Sequence, residues 1–77
     1  MTEVKVYSTP ECPTCKKVKR FLKENNVEYQ NIDVASDGAA AEVMIEKSGQ
    51  MSVPVVEIDN ELILGFDKKK LKNALNL

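Results

Sequence analysis

The sequence contains no histidine and no tryptophan. Without an imidazole, a Ser-His-Asp triad, a Cys-His pair and any histidine-ligated metal are excluded within the chain. Three glycines and three prolines are too few for a collagen-like or low-complexity chain, and two cysteines are too few for a disulfide scaffold. There is no apolar run long enough to cross a bilayer. The opening Met1-Thr2-Glu3-Val4-Lys5 passes directly into an alternating pattern, without the basic and apolar regions of a secretory leader. A surplus of charge is also missing, since 11 Lys and Arg stand against 12 Asp and Glu for a net charge of −1. Neither nucleic acid nor a membrane is therefore expected as a partner, and the expected location is the cytoplasm.

What remains is 77 residues, 43% hydrophobic and 30% charged, the composition of one globular domain spanning 1–77. A chain of this size buries only about 60% of its unfolded surface, so a large enclosed ligand pocket is not expected. Val4 and Val6 alternate with Lys5 and Tyr7 as a first strand, which Pro10 ends. Pro13 suits the first turn of a helix in which Cys15, Val18, Phe21 and Leu22 share one buried face, and Asn25-Asn26 stops it. Residues 28–34 read as a second strand. After the cap and turn Ser36-Asp37-Gly38, residues 39–47 read as a helix burying Ala40, Val43 and Met44, with Ser48-Gly49 as its stop. Val53 opens a third strand running to Ile58, Asp59-Asn60 is a two-residue hairpin turn, and residues 61–64 return as a fourth strand. Asp67 caps a last helix with Leu71, Ala74 and Leu75 inside. The order β-α-β-α-β-β-α gives an α/β fold in which a parallel crossover and a hairpin share one four-stranded mixed sheet flanked by three helices.

Chemistry must come from Cys12-Pro13-Thr14-Cys15. Four uses of this pair compete. A structural disulfide closing so short a loop would contribute on the order of 2 kcal/mol, and a reducing cytosol would keep it open. A metal or iron–sulfur site needs about four N or S ligands, which only a dimer or an external thiol such as glutathione would complete. Two small buried hydrophobes would explain Cys15 but not Cys12, which stands in the turn before the helix and is expected to be exposed. A dithiol redox centre fits both positions. The helix N-terminus favours a negative charge on Cys12, while Cys15, one turn later on the buried face, is shielded. Cys12 would attack a disulfide and Cys15 would resolve the mixed disulfide, with Pro13 stiffening the loop between them.

Residues 7–15 (Tyr-Ser-Thr-Pro-Glu-Cys-Pro-Thr-Cys), then Ser52-Val53-Pro54-Val55-Val56, then Gly65-Phe66-Asp67 resemble the three signatures of glutaredoxins in the thioredoxin superfamily, in order and over essentially the whole chain. More narrowly, the chain is similar to short bacterial and archaeal glutaredoxin-like proteins, which include electron donors of ribonucleotide reductase. The resemblance implies a thioredoxin fold, a monomer, Cys12 and Cys15 as catalytic residues, and no metal or organic cofactor. It implies a cis bond at Pro54, leaving the main chain of Val53 to pair with a substrate strand, and Thr14, Gly65, Phe66 and Asp67 along the substrate groove beside Pro13. The expected partners are a protein disulfide and, as electron donor, glutathione or thioredoxin reductase.

Three departures bear on that donor. Phe66 stands where glutathione-using members carry a second glycine, Thr14 where they tend to carry tyrosine, and Ser8-Thr9-Pro10 where they tend to carry lysine. Each weakens the expectation of a glutathione groove, and the Gly-Phe pair is closer to members reduced by thioredoxin reductase. The other reading left by the family is a cluster carrier using Cys12 and glutathione in a dimer. Lys68-Lys69-Lys70 opposes the macrodipole of the helix it opens, so it is either a solvated face or a docking surface for an acidic partner.

Overall fold

The computed structural model describes residues 3–77, and Met1 and Thr2 of the opening alternating stretch lie outside them. Seven elements follow in the expected order: β1 (Val4–Ser8), α1 (Pro13–Glu24), β2 (Gln30–Asp33), α2 (Gly38–Ser48), β3 (Val55–Ile58), β4 (Glu61–Leu64) and α3 (Lys68–Leu75). The sheet order is β2-β1-β3-β4, with β1 and β2 parallel and the other two pairings antiparallel. This is the mixed sheet of the thioredoxin fold. No helix of the described residues is long and apolar enough to cross a membrane.

Strand periodicity sorts the core into two layers. Val4 and Val6 of β1, Val56 and Ile58 of β3 and Ile63 of β4 point to one face of the sheet. There they meet Val18, Phe21 and Leu22 of α1 and Leu71 of α3, so α1 and α3 share that side. The alternate positions Tyr7, Val55 and Leu62 face the other side and pack with Met44 of α2. β1 is thus covered on both faces, and Tyr7 is only 3% exposed.

Each helix starts and stops on a side chain or a left-handed residue. Pro13 occupies the first position of α1, and Asn26 at φ 57° takes the chain out of it. Asp37 Oδ1 accepts from the Ala40 N–H at 3.1 Å to start α2, which Gly49 ends at φ 73°. Asp67 Oδ1 does the same for the Lys70 N–H at 3.1 Å in α3. Asp67→Ala should therefore lower stability by about 0.5–2 kcal/mol, read as a shift in the urea midpoint at unchanged slope.

Three boundaries differ from expectation. β2 is four residues, not seven, because it is an edge strand paired only along Lys5 to Ser8 of β1. On α2 the buried residue is Met44, with Ala40 and Ile45 half-buried, whereas Val43 is 39% exposed. The helix turns Met44 and Ile45 toward the sheet, and the rotation of about 100° per residue carries Val43, one position earlier, round to solvent. β3 begins at Val55 and not Val53, since Pro54 has no N–H to give to a ladder.

Candidate active site

The antiparallel registers bring three loops to one end of the sheet. Tyr7 at the end of β1 pairs with Val55 at the start of β3, and Val55 pairs with Leu64 at the end of β4. Cys12, Pro54 and Phe66 follow or precede those positions by a few residues, so the loops carrying them are neighbours. The 3.3–3.4 Å rise per residue puts this end roughly 13 Å from the hairpin turn at Asp59.

Cys12 is the N-cap of α1, with extended φ and ψ of −95° and 110°. Its Sγ accepts from the Cys15 N–H at 3.1 Å, and its own N–H donates to the Thr9 carbonyl at 3.4 Å. Turning the sulfur onto the helix end leaves Cys12 half-buried, not exposed as the sequence implied. Cys15 is completely buried. Burial pushes its thiol up from an ordinary 9.0 to about 11, and hydrogen bonding to the Cys12 side chain adds to the rise. The Thr9 main chain and the charge of Lys19 pull the other way by less. Between the cysteines, Pro13 is exposed and Thr14 half-buried. Both cysteines are free thiols.

The second loop holds a feature that the residues alone do not give and the family resemblance implies: the Val53–Pro54 bond is cis. Pro54 is fully buried and Val53 half-buried against the α2-side core. The Pro54 carbonyl accepts from the Gly65 N–H at 2.9 Å, which fastens the second loop to the third. Gly65 sits at φ 75°, a left-handed conformation that other residues adopt at a cost. Phe66 then packs edge-on against Phe21 of α1, with ring centroids 6.2 Å apart and planes at 67°, while staying 37% exposed. Asp67 is half-buried and spends one carboxylate oxygen on the α3 cap.

Two of these ties escaped the sequence reading. The Gly65–Pro54 bond was within reach, because a two-residue turn at Asp59-Asn60 sets Pro54 opposite Gly65. The Phe21–Phe66 contact had no signal in either helix pattern. The chain just before Cys12 contributes to a cleft of about 440 Å³ lined by Thr9, Pro10, Glu11 and Ala35. Ser8, the residue before Thr9, is buried and donates to Asn31 Oδ1 at 2.9 Å. Among the described residues no three His, Cys, Asp or Glu side chains gather as a metal site.

Residues 4–63 match the sequence profile of the Glutaredoxin family. The chain belongs to that family. Glutaredoxins are thiol–disulfide oxidoreductases, and this one carries a free dithiol at the helix end where such chemistry is done. Among relatives, an uncharacterized glutaredoxin-like 8.6 kDa protein in the rubredoxin operon of Clostridium pasteurianum is 44% identical over 72 residues, covering 94% of this chain and 96% of that one. A solved mutant of a thioredoxin-like protein superimposes with a TM-score of 0.91 at 43% identity, covering 99% and 97%. The glutaredoxin of Archaeoglobus fulgidus does so at 0.90 with 32% identity, covering 100% and 89%.

Proposed function

We propose that this glutaredoxin reduces protein or glutathione mixed disulfides with Cys12 as nucleophile and Cys15 as resolving thiol, working as a monomer in a reducing cytoplasm. The unlike settings of the two sulfurs carry this reading. Cys12 is half-buried at the helix end, whereas Cys15 is wholly enclosed and its thiol is pushed up to about 11. Only Cys12 is placed to meet a substrate.

The Cys12 thiolate attacks one sulfur of the substrate disulfide, forming a mixed disulfide and expelling the other sulfur as a thiolate. The Cys15 thiolate then attacks Cys12 Sγ, closing the Cys12–Cys15 disulfide and releasing the second substrate thiolate. Two electrons pass to the substrate, and the redox equivalents reside on the protein's own sulfurs with no cofactor required. Two of the influences that raise the Cys15 thiol come from Cys12 itself, through a hydrogen bond and a like charge. Both vanish once Cys12 is tied up in the mixed disulfide, so Cys15 ionises more readily when its attack is due.

Val53, leading into cis Pro54, presents main chain beside this loop for an extended substrate, and Pro13, Thr14, Gly65, Phe66 and Asp67 border the same groove. Phe66, 37% exposed, stands where glutathione-using members carry a second glycine, which argues against a glutathione groove. Thioredoxin reductase is therefore the favoured donor. A dimeric cluster carrier would need glutathione and a second copy to add ligands to Cys12.

The deciding assay follows NADPH consumption with a disulfide substrate, in parallel with glutathione plus glutathione reductase and with thioredoxin reductase. Turnover with thioredoxin reductase is expected. Turnover only with glutathione would overturn the donor assignment, and a Cys15→Ser variant that accumulates no mixed disulfide by mass spectrometry would overturn the division of roles.

A further inference from the structure

The net charge of −1 conceals a separation of charge by the sheet. Helix α1 carries Lys16, Lys17, Lys19, Arg20 and Lys23, with Glu24 its one acid. Helix α3 adds Lys68, Lys69, Lys70 and Lys72 with no acid. These two helices lie on the same face of the sheet, and they hold nine of the eleven cations of the chain. The remaining two cations, Lys5 and Lys47, lie outside both helices, and of the twelve acids only Glu24 lies within them, with Asp67 capping α3 and Glu11 preceding Cys12 at their N-terminal ends. On the opposite face α2 shows Asp37, Glu42 and Glu46 to solvent.

Folding does not explain this arrangement. Three lysines in the first turn of α3 meet the positive end of its dipole, and the first turn of α1 likewise has no acid. Among the described residues only Arg20 of the nine cations has an ion pair, a long one at 3.9 Å to exposed Glu24. All nine except Lys19 are exposed. The N-terminal ends of both helices lie at the end of the sheet that holds Cys12, so the basic face begins at the active-site end. Exposed Glu11 lies next to Cys12 in the chain and lines the Thr9–Ala35 cleft.

We infer that the α1–α3 face is an electrostatic docking surface for a protein whose disulfide is set in acidic surroundings. The inference rests on the oxidoreductase reading above and names the substrate class of that site. A chain with opposite charge on its two faces turns as an acidic partner approaches, and presents the face bordering Cys12 first. Nucleic acid is a poorer fit, because binding a single strand calls for exposed aromatic platforms. Here Tyr7 and Phe21 are buried and Tyr29 is partly buried against the core, which leaves only Phe66, 37% exposed and edge-on to Phe21, instead of a row of platforms.

The test uses three synthetic peptides of equal length, each with its cysteine joined to a thiopyridyl group and flanked by Glu, Ser or Lys. Pre-reduced full-length protein is mixed with each, and release of pyridine-2-thione is followed by stopped flow. At an ionic strength of about 10 mM the Glu peptide should react roughly tenfold faster than the Ser peptide, and the Lys peptide slower. The rates should converge to within about twofold at about 0.5 M salt, where charge is screened over a few ångströms. In Lys68→Gln/Lys69→Gln/Lys70→Gln the Glu-to-Ser ratio should fall at least about threefold, with no lower melting temperature because the clash with the dipole is relieved. Equal rates for the Glu and Ser peptides at low salt, with the Ser peptide reduced, would overturn the docking surface and leave the oxidoreductase standing. Reduction of none of the three would overturn both. Binding of labelled oligothymidylate together with equal peptide rates would assign the surface to nucleic acid and overturn the inference.

Discussion

Cys12→Ser should lower disulfide reduction by a factor on the order of 10³ or more, because a serine hydroxyl is scarcely ionised at neutral pH and cannot carry the thiolate attack. Cys15 has no route to take over, being completely buried with its thiol raised to about 11. Serine is itself a good N-cap, so its oxygen keeps the role that Cys12 Sγ has toward the Cys15 N–H. Unchanged helical circular dichroism with lost NADPH consumption would separate chemistry from folding. Turnover retained in this variant would remove Cys12 as the nucleophile.

The reduced protein should lose stability as pH rises from about 9 to about 11, by an amount on the order of 2–3 kcal/mol at about 1.4 kcal/mol per pH unit. In that window the unfolded chain releases the Cys15 proton at its ordinary 9.0, while the folded chain holds it up to about 11. The folded state therefore binds more protons than the unfolded one, and each step upward in pH favours unfolding. The contribution is complete below 9.0 and gone above about 11. For a small domain whose total is about 5–15 kcal/mol, this is a large share. Urea unfolding of the reduced wild type at several pH values checks it, with Cys15→Ala as reference. An equally steep fall in Cys15→Ala would assign the effect to other groups.

Where one residue type decides a local structure, the sequence was a sufficient guide. The buried face Cys15, Val18, Phe21 and Leu22 of α1, the Asp59-Asn60 turn and the Asp67 cap are all found as expected. Each follows from spacing or from a side chain bonding its own backbone, which needs no knowledge of distant residues. Val43 against Met44 was different, because two adjacent apolar residues leave the rotation of a helix undecided until the sheet is in place. The β-branched run around Val53 favours a strand, but the proline beside it has no N–H for the ladder, so β3 starts at Val55.

The active site was legible in its sulfurs and less so in what surrounds them. The cysteine pair announced itself by spacing and by position between strand and helix. Phe66 reaching Phe21 joins residues 45 positions apart, and nothing in either local pattern marks such a pair. Summed charge was actively misleading, since −1 for the whole chain hides two faces of opposite sign.

The hairpin turn at Asp59-Asn60 lies at the end of the sheet remote from the cysteines. Its anchoring is local: Asp59 exchanges bonds with Glu3, accepting from the Glu3 N–H at 3.0 Å and donating its N–H to the Glu3 carbonyl at 2.9 Å. Asn60 and Glu61 just beyond are exposed. Because closing a longer loop costs little extra free energy, a fluorophore site or an affinity peptide spliced between Asn60 and Glu61 would report on the enzyme while its substrates come and go at the opposite end.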